Sequence, residues 1–577
     1  MPTHDMRFAT PKTPRGQHVL FPRCLDDVVA ADDPVRIFAE VLNKTDWAPW
    51  EQGYKGYGQP PIHPRYLAGA ILWGLLHKMR SSRDLERAAC KDLDFIWLLE
   101  GFTPDHSTFA DFRKRHAKAI EALREQFGRA LVRMANKSLL SLILDGTQIR
   151  AHSDRHGPRK AETLKLVLRA LERRMQALEQ GDEAQAAPQT EYFEGMAPPE
   201  DETQALAQID QEMARLEAQR AKYQKALDVA EERDARARKH NGKKAKAVRV
   251  PVTDPDAHMM PNKDGGCAPN YTCVATVEAD SGAIVHSDVL EGMDEASAVL
   301  PAVEAAEALT GQEVEAVLAD SNFASGAVLG DLDERSVAAY MPTRSASPPD
   351  NPALRADPTT PVAEAERERL ARSGGQLART AFVYDPEADV YYCPMGHALV
   401  PYKRGANKDG VACTYYGCPG GAGCPLAQQC IKGKGGRRTL VRDAYEPLRE
   451  AAARRMATPE GKKIYAQRAP VIEGLYGVVK SVLLIRQFYT RGLENVRNEW
   501  NWVCAAYNLK KLLALTARFG GAAAVSGLLL GLRRVAGCSG RLLAACGATF
   551  RQRARDRKRL TPRAFGPAHC VPDLAAA

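Results

Sequence analysis

Apolar positions along this chain switch between helical spacing, unbroken runs and strict alternation, and each switch marks a different kind of element. Up to about residue 135 the spacing is helical. Pro61-Ile-His-Pro-Arg65 interrupts it, Tyr66 to Lys78 then reads as an apolar helix, and Arg83–Cys90 and Asp92–Glu100 follow as further helical pieces. Phe109 to Lys118 reads as another helix, capped by Ser107 or Thr108. The pattern then collapses into Leu139-Leu-Ser-Leu-Ile-Leu144, which runs into Asp145-Gly-Thr and predicts a buried strand delivering a carboxylate to the rim of a sheet. Asp-Gly is equally a strong type I′ turn signal, so a hairpin turn at Asp145-Gly146 is the competing reading.

Helical spacing returns from about 160 to 245, with Leu164, Leu168, Leu171 and Met175, then Met213, Leu216, Tyr223 and Leu227, set among dense charge. A break at Ala197-Pro-Pro-Glu-Asp201 divides the two runs, which predicts an antiparallel helical hairpin ending in the basic stretch Arg236–Lys246. Tyr271–Val277 and Ala283–Leu290 alternate like strands, joined across Asp280-Ser-Gly282. An Ala/Glu helix over 294–309 precedes an apolar strand, Val314–Ala319, that ends at Asp320. This order of strands and helices predicts an α/β sheet led by an antiparallel meander. Asp320 then sits at a strand's C-terminal edge, where open α/β sheets keep their ligands, although an aspartate there also caps the next helix. Residues 343–380, rich in Pro, Ser and Ala, read as a loose linker. Thr458-Pro opens another helical region, in which Tyr465, Arg468, Glu473 and Lys480 recur at helical spacings and Pro470 kinks or restarts the helix.

At 577 residues the chain exceeds one core, and about three or four domains are expected. Its longest charge-free apolar run near the C-terminus, Phe519 to Leu532, is too short to span a membrane. Met1–Arg7 has no apolar signal core, so a cytoplasmic, nucleoid-associated protein is expected, with no membrane partner. The net charge of +9 is unevenly spread: residues 431–577 hold 28 Lys+Arg against 9 Asp+Glu, as expected where a chain meets a polyanion. Arg551 to Arg559 reads equally as a solvated tail.

Three carboxylates, Asp145, Asp320 and Glu473, fall in frames suited to a shared site. Hard oxygens favour Mg²⁺ or Mn²⁺, and a pair of such ions about 4 Å apart drives in-line phosphoryl displacement without a protein nucleophile. Arg113, Lys114 and Arg115, on a helix after a polar turn, suit phosphate contact in a helix-turn-helix arrangement, with a solvated helix face the competing reading. Five of the thirteen cysteines lie between 393 and 430; Cys393, Cys418, Cys424 and Cys430 are the preferred four for a structural Zn²⁺, with free thiols the alternative.

Pro104-Asp-His-Ser-Thr108 with Phe112-Arg113, Leu144-Asp-Gly-Thr-Gln-Ile149, Asp254-Pro-Asp-Ala257, Leu318-Ala-Asp320, Tyr465 through Lys480, Arg491–Arg497 and Asn508–Lys511 together resemble a DDE transposase of a bacterial insertion sequence, in the branch marked by a Tyr-Arg-Glu-Lys signature. The resemblance implies an α/β RNase H-like catalytic core (a mixed sheet with helices) with an N-terminal all-α DNA-binding domain, to which the residue patterns add a helical insertion and a small Cys-rich insertion. It implies Asp145, Asp320 and Glu473 as the catalytic metal-binding triad, with Tyr465, Arg468 and Lys480 on the DNA end. Four residues separate Arg468 from Glu473 where the signature commonly has three. The domains expected are 1–135, helical and DNA-binding; 136–345, the first part of the core, with the helical insertion at about 160–245; 346–455, linker and Cys-rich insertion; 456–515, the core's C-terminal helices; and 516–577, a basic tail. The implied partners are double-stranded DNA, both terminal inverted repeats and target, and a second copy of the chain on that DNA. A nuclease of the same core that cuts without joining, and a non-catalytic DNA-binding descendant, are the alternatives.

Overall fold

The computed structural model describes residues 24–52, 54, 60–135, 139–155, 157–180, 202–242, 245–261, 265–347, 350–419, 421, 423–431 and 436–518. Met1–Arg7, the Ala197–Asp201 break, Phe519–Leu532 and the Arg551–Arg559 run lie outside them.

A six-stranded mixed sheet forms the centre. Its strands are β1 (Leu139–Arg150), β2 (His258–Pro261), β3 (Cys267–Glu278), β4 (Ile284–Val289), β5 (Glu313–Leu318) and β6 (Ala338–Tyr340). The order is β2-β3-β1-β5-β6, with β4 also paired to β3. β1 and β4 run antiparallel to β3, whereas β1, β5 and β6 are mutually parallel. The expected meander thus feeds a parallel half through the Val299–Thr310 helix. The meander turn is held by Glu278, whose carboxylate accepts the Asp280 and Ser281 N–H groups, while Gly282 takes a φ of +62°.

β1 departs from expectation at its most informative point. It neither ends nor turns at Asp145-Gly146 but runs on to Arg150, because β3 supplies partners throughout, from Leu142↔Glu278 to Arg150↔Asn270. On its other side β1 pairs with β5 only as far as Ile143↔Leu318. Beyond that register no strand among the described residues flanks its outer edge, and C-terminal side chains take over its polar groups. The Tyr476 hydroxyl donates to the Asp145 carbonyl at 2.7 Å, Lys480 Nζ to the Gln148 carbonyl at 3.2 Å, and Arg150 bridges to Gln487.

All described elements from residue 25 to residue 135 are helical. The Ala117–Ala135 helix packs along the C-terminal Leu493–Arg518 helix, and one buried cluster runs from Val29 through the sheet to Leu512. Buried Asn508 ties both layers to the sheet: it donates to the carbonyls of Arg124 and Ile284 and accepts the Ile284 N–H.

The Ala161–Glu179 and Glu202–Asn241 helices pack antiparallel, as the ion pairs Arg174–Glu212 and Lys165–Glu231 require. Residues 343–380, expected as a loose linker, instead contribute from about residue 350 onward to a second small core. Ala353, Val362, Leu370 and Leu377 are buried there against Tyr391, Tyr416 and Leu440 of a five-stranded antiparallel sheet spanning 383–443. The Pro- and Ser-rich composition hid this because the apolar partners lie far along the chain.

Candidate active site

Asp145 and Asp320 each lie two residues past the last parallel pair, Ile143↔Leu318, so matched register sets them side by side at the C-terminal edge of neighbouring strands. Strands there stand about 4.8 Å apart, which brings the two carboxylates within mutual electrostatic reach. Burial raises the Asp145 pKa, the Asp320 charge raises it further, and the Arg468 guanidinium opposes both. Asp320 accepts the Asn322 N–H at 2.8 Å, an Asx turn that shapes the loop behind the strand.

Arg468 faces this pair. Its Nη2 donates to Asp145 Oδ1 at 2.6 Å, while its buried Nε lacks a hydrogen-bond partner. The helix carrying it restarts at Arg468 after the Pro459–Ala466 helix, and Pro470 falls in the first turn of the new helix. Tyr465, half-buried on the preceding helix, senses Arg468, Asp320 and Asp145. A π-helical turn at Val478–Val482 then takes Lys480 out of the regular helical register and onto the β1 backbone.

A third carboxylate joins the pair, and it is one that the sequence reading missed. Glu295 opens the short 3₁₀ turn ahead of the Val299–Thr310 helix and lies directly against Gly146, where a Cβ would stand 2.9 Å from its Cδ. Asn322 Nδ2 donates to Glu295 Oε2 at 3.1 Å, joining it to the Asp320 loop. Burial raises the Glu295 pKa, and the Asp320 and Asp145 charges add to that. In the sequence Glu295 reads as an ordinary acid in a helix's first turn, and its nearness to Gly146 arises only from sheet packing.

Glu473 is placed otherwise. It is exposed on the outer side of the Arg468–Gly477 helix, whose inner face buries Ile472 and Leu475, and it has no hydrogen bond or ion pair among the described residues. Among the described residues, no three His, Cys, Asp or Glu side chains stand at metal-ligand spacing.

The expected DNA-contacting cations divide. Lys114 and Arg115 are exposed, but Arg113 turns inward: it donates to the Arg80 carbonyl, and burial depresses its pKa to about 10. Its backbone carbonyl accepts Asn498 of the C-terminal helix, so Arg113 staples helices together. The four preferred cysteines gather on the second core: burial and then the thiols of Cys418, Cys393 and Cys424 push Cys430 up to about 11, with Arg438 opposing. Cys393 Sγ accepts the His397 N–H at 3.3 Å, over a turn in which Gly396 takes a φ of +81°.

With this geometry in view, comparison with known families is direct. Residues 392–513 match the family described as "Transposase DDE domain", and residues 23–115 match "Transposase domain (DUF772)". No curated protein matches the chain. The protein is an enzyme of the nucleotidyl-transferase type that acts on DNA. Within that class the two matches indicate a DDE transposase of an insertion sequence, a family that generally uses divalent metal ions. The DDE match takes in Arg468, Glu473 and the four cysteines; Asp145, Asp320 and Glu295 lie outside both matches. No helix among the described residues is long and apolar enough to cross a membrane.

Proposed function

We propose that the protein cuts the ends of its own insertion sequence and joins them to target DNA, using Asp145, Asp320 and Glu473 on an RNase H-like core. The observation that carries this reading is the register-matched pair Asp145 and Asp320 at the parallel edge of a sheet, beside a helix that lies within the transposase match. The strand order, an antiparallel meander followed by parallel strands, supports an RNase H-like arrangement. The carboxylate donor set suits Mg²⁺ or Mn²⁺, which would polarise the scissile phosphate and acidify the attacking water or 3′-hydroxyl. Arg468 meanwhile neutralises Asp145, and a DNA phosphate arriving at the site competes for its guanidinium. Glu473 would reach the pair only through a rearrangement of the Arg468–Gly477 helix, whose present seating buries Ile472 and Leu475. Tyr465, Lys480, Lys114 and Arg115 then serve as contacts to the terminal repeats, two of which are paired by a dimer of the chain. Cys393, Cys418, Cys424 and Cys430, gathered on the second core but not at ligand spacing, would have to close together to hold a structural Zn²⁺.

A second reading replaces Glu473 with Glu295 as the third carboxylate, favoured by the seat of Glu295 against Gly146. The test uses a supercoiled plasmid carrying the element's ends, incubated with Mg²⁺ and wild type, Glu473→Gln or Glu295→Gln. Excised and joined products from wild type and Glu295→Gln, but not from Glu473→Gln, support the first reading. The reverse pattern supports the second, and cutting without joining by wild type reduces the function to that of a nuclease.

A further inference from the structure

The outer face of the five-stranded sheet carries chemistry that the reaction centre does not use. In the strands Ala398–Ala406, Ala412–Gly417 and Thr439–Asp443, the cross-strand pairs Lys403↔Tyr415↔Val441 and Val400↔Gly417↔Thr439 share one face. The opposite face buries Leu399, Tyr416 and Leu440 in the second core. A bulge between Pro401 and Lys403 leaves Tyr402 as an extra residue and swings its ring onto the outer face. The ring lies over Gly417, where a Cβ would stand 3.0 Å from the Tyr402 ring. Arg437 stacks on this ring at 4.3 Å from its centroid, and Lys403 lies over the Tyr415 ring at 5.5 Å. Tyr402 is 44% exposed, Val400 51% and Val441 39%, an apolar patch rimmed by cations. Asp443, at the edge of the face, is neutralised by Arg449.

Flat aromatic surface interleaved with stacked cations is the chemistry that takes unpaired bases: every base has a π-face for Tyr402 and the guanidinium plane, and the cations meet the phosphates. A guanidinium already stacked loses little freedom on binding. We propose that this face, built by Tyr402, Arg437, Lys403 and Tyr415 on the Gly417 seat, binds a single-stranded stretch of DNA. The inference rests on the transposase reading, which makes DNA the polyanion at hand, and it assigns the five-stranded sheet to holding a strand freed from its duplex.

The test measures fluorescence anisotropy of labelled oligo-dT and of a blunt random duplex, each titrated with full-length wild type, Tyr402→Ala, Tyr402→Phe and Arg437→Ala. Wild type binds oligo-dT, and each alanine variant weakens that binding by about fivefold or more while duplex affinity stays within twofold. Tyr402→Phe, which keeps the ring, binds as wild type does, and unchanged melting curves establish that the alanine variants are folded. Absence of oligo-dT binding by wild type, unchanged binding by both alanine variants, or equal losses on duplex and single strand would each overturn the proposal. Plasmid cleavage by the same wild-type preparation reports separately on the transposase reading: binding lost in the variants but no cleavage by wild type leaves this face standing and sinks the reaction assignment.

Discussion

Substituting Gly146 by Ala tests whether Glu295 belongs to the reaction centre. The new Cβ would stand 2.9 Å from Glu295 Cδ, and closer still to Oε1, whereas carbon atoms settle at about 3.5–4.0 Å. The carboxylate must therefore retreat by roughly 1 Å, which strains its bond from Asn322 and changes its distance to Asp145. The obstructing atoms form the end of a flexible side chain, so the fold gives way at small cost: overpacking costs about 1–3 kcal/mol, offset by about 0.5–1 kcal/mol from replacing a strand glycine. A displacement of that size at a reacting centre costs on the order of 100-fold in rate. The melting temperature should stay within about 4 °C of wild type; plasmid cleavage should slow by about two orders of magnitude where Glu295 is the third carboxylate, and stay near the wild-type rate where Glu473 is. A Glu295→Ala background removes the obstruction, so the double variant should cleave no more slowly than Glu295→Ala alone. Wild-type cleavage by Gly146→Ala, or additive losses in the double variant, would refute a place for Glu295 in the reaction centre and leave Glu473 as the third carboxylate.

Further outcomes follow from the same contacts. Arg468→Ala removes the cation that lowers the Asp145 pKa, so the acid limb of the cleavage pH profile should move to higher pH; a shift to lower pH would contradict the pairing. Burial depresses His258 and His286 to about 4. Because an unfolded histidine titrates near 6.5, the unfolded chain binds more protons between those values, and stability is lost as pH falls from about 6.5 toward 4, by about 1–2 kcal/mol per histidine after discounting partial exposure. Denaturant midpoints at pH 7 and pH 5 should show this loss, and His286→Gln should lessen it. Purified protein should carry about one zinc per chain by atomic emission, reduced in Cys430→Ser; zinc-free protein with an intact fold would show that the four thiols are only a buried cluster.

The sheet edge that carries Asp145 and Asp320 was legible in the sequence because strands that are buried on both faces leave nearly continuous apolar runs. Leu139–Leu144 and Val314–Leu318 announce themselves in this way, and Asp145 and Asp320 follow them. What lies beyond Asp145 was not legible, since Asp-Gly reads locally as a turn and only β3, more than a hundred residues away, extends the strand. Glu295 was hidden for a related reason, its importance residing in Gly146 and Asn322 across the sheet edge. Arg113 looks like its exposed neighbours Lys114 and Arg115 in any local reading, and packing of two distant helices turns it inward. The helical hairpin was readable because its registers repeat along the sequence itself.

The single buried cluster linking Val29 to Leu512 also sets a clock on synthesis. The Leu493–Arg518 helix supplies the surface on which the Ala117–Ala135 helix rests, so the early helices cannot complete their core while the ribosome is still making the middle of the chain. At about 5–20 residues per second, the first helices wait tens of seconds for their partner. A nascent chain stopped before residue 493 therefore exposes apolar helix faces, and this core closes only once the Leu493–Arg518 helix has been made.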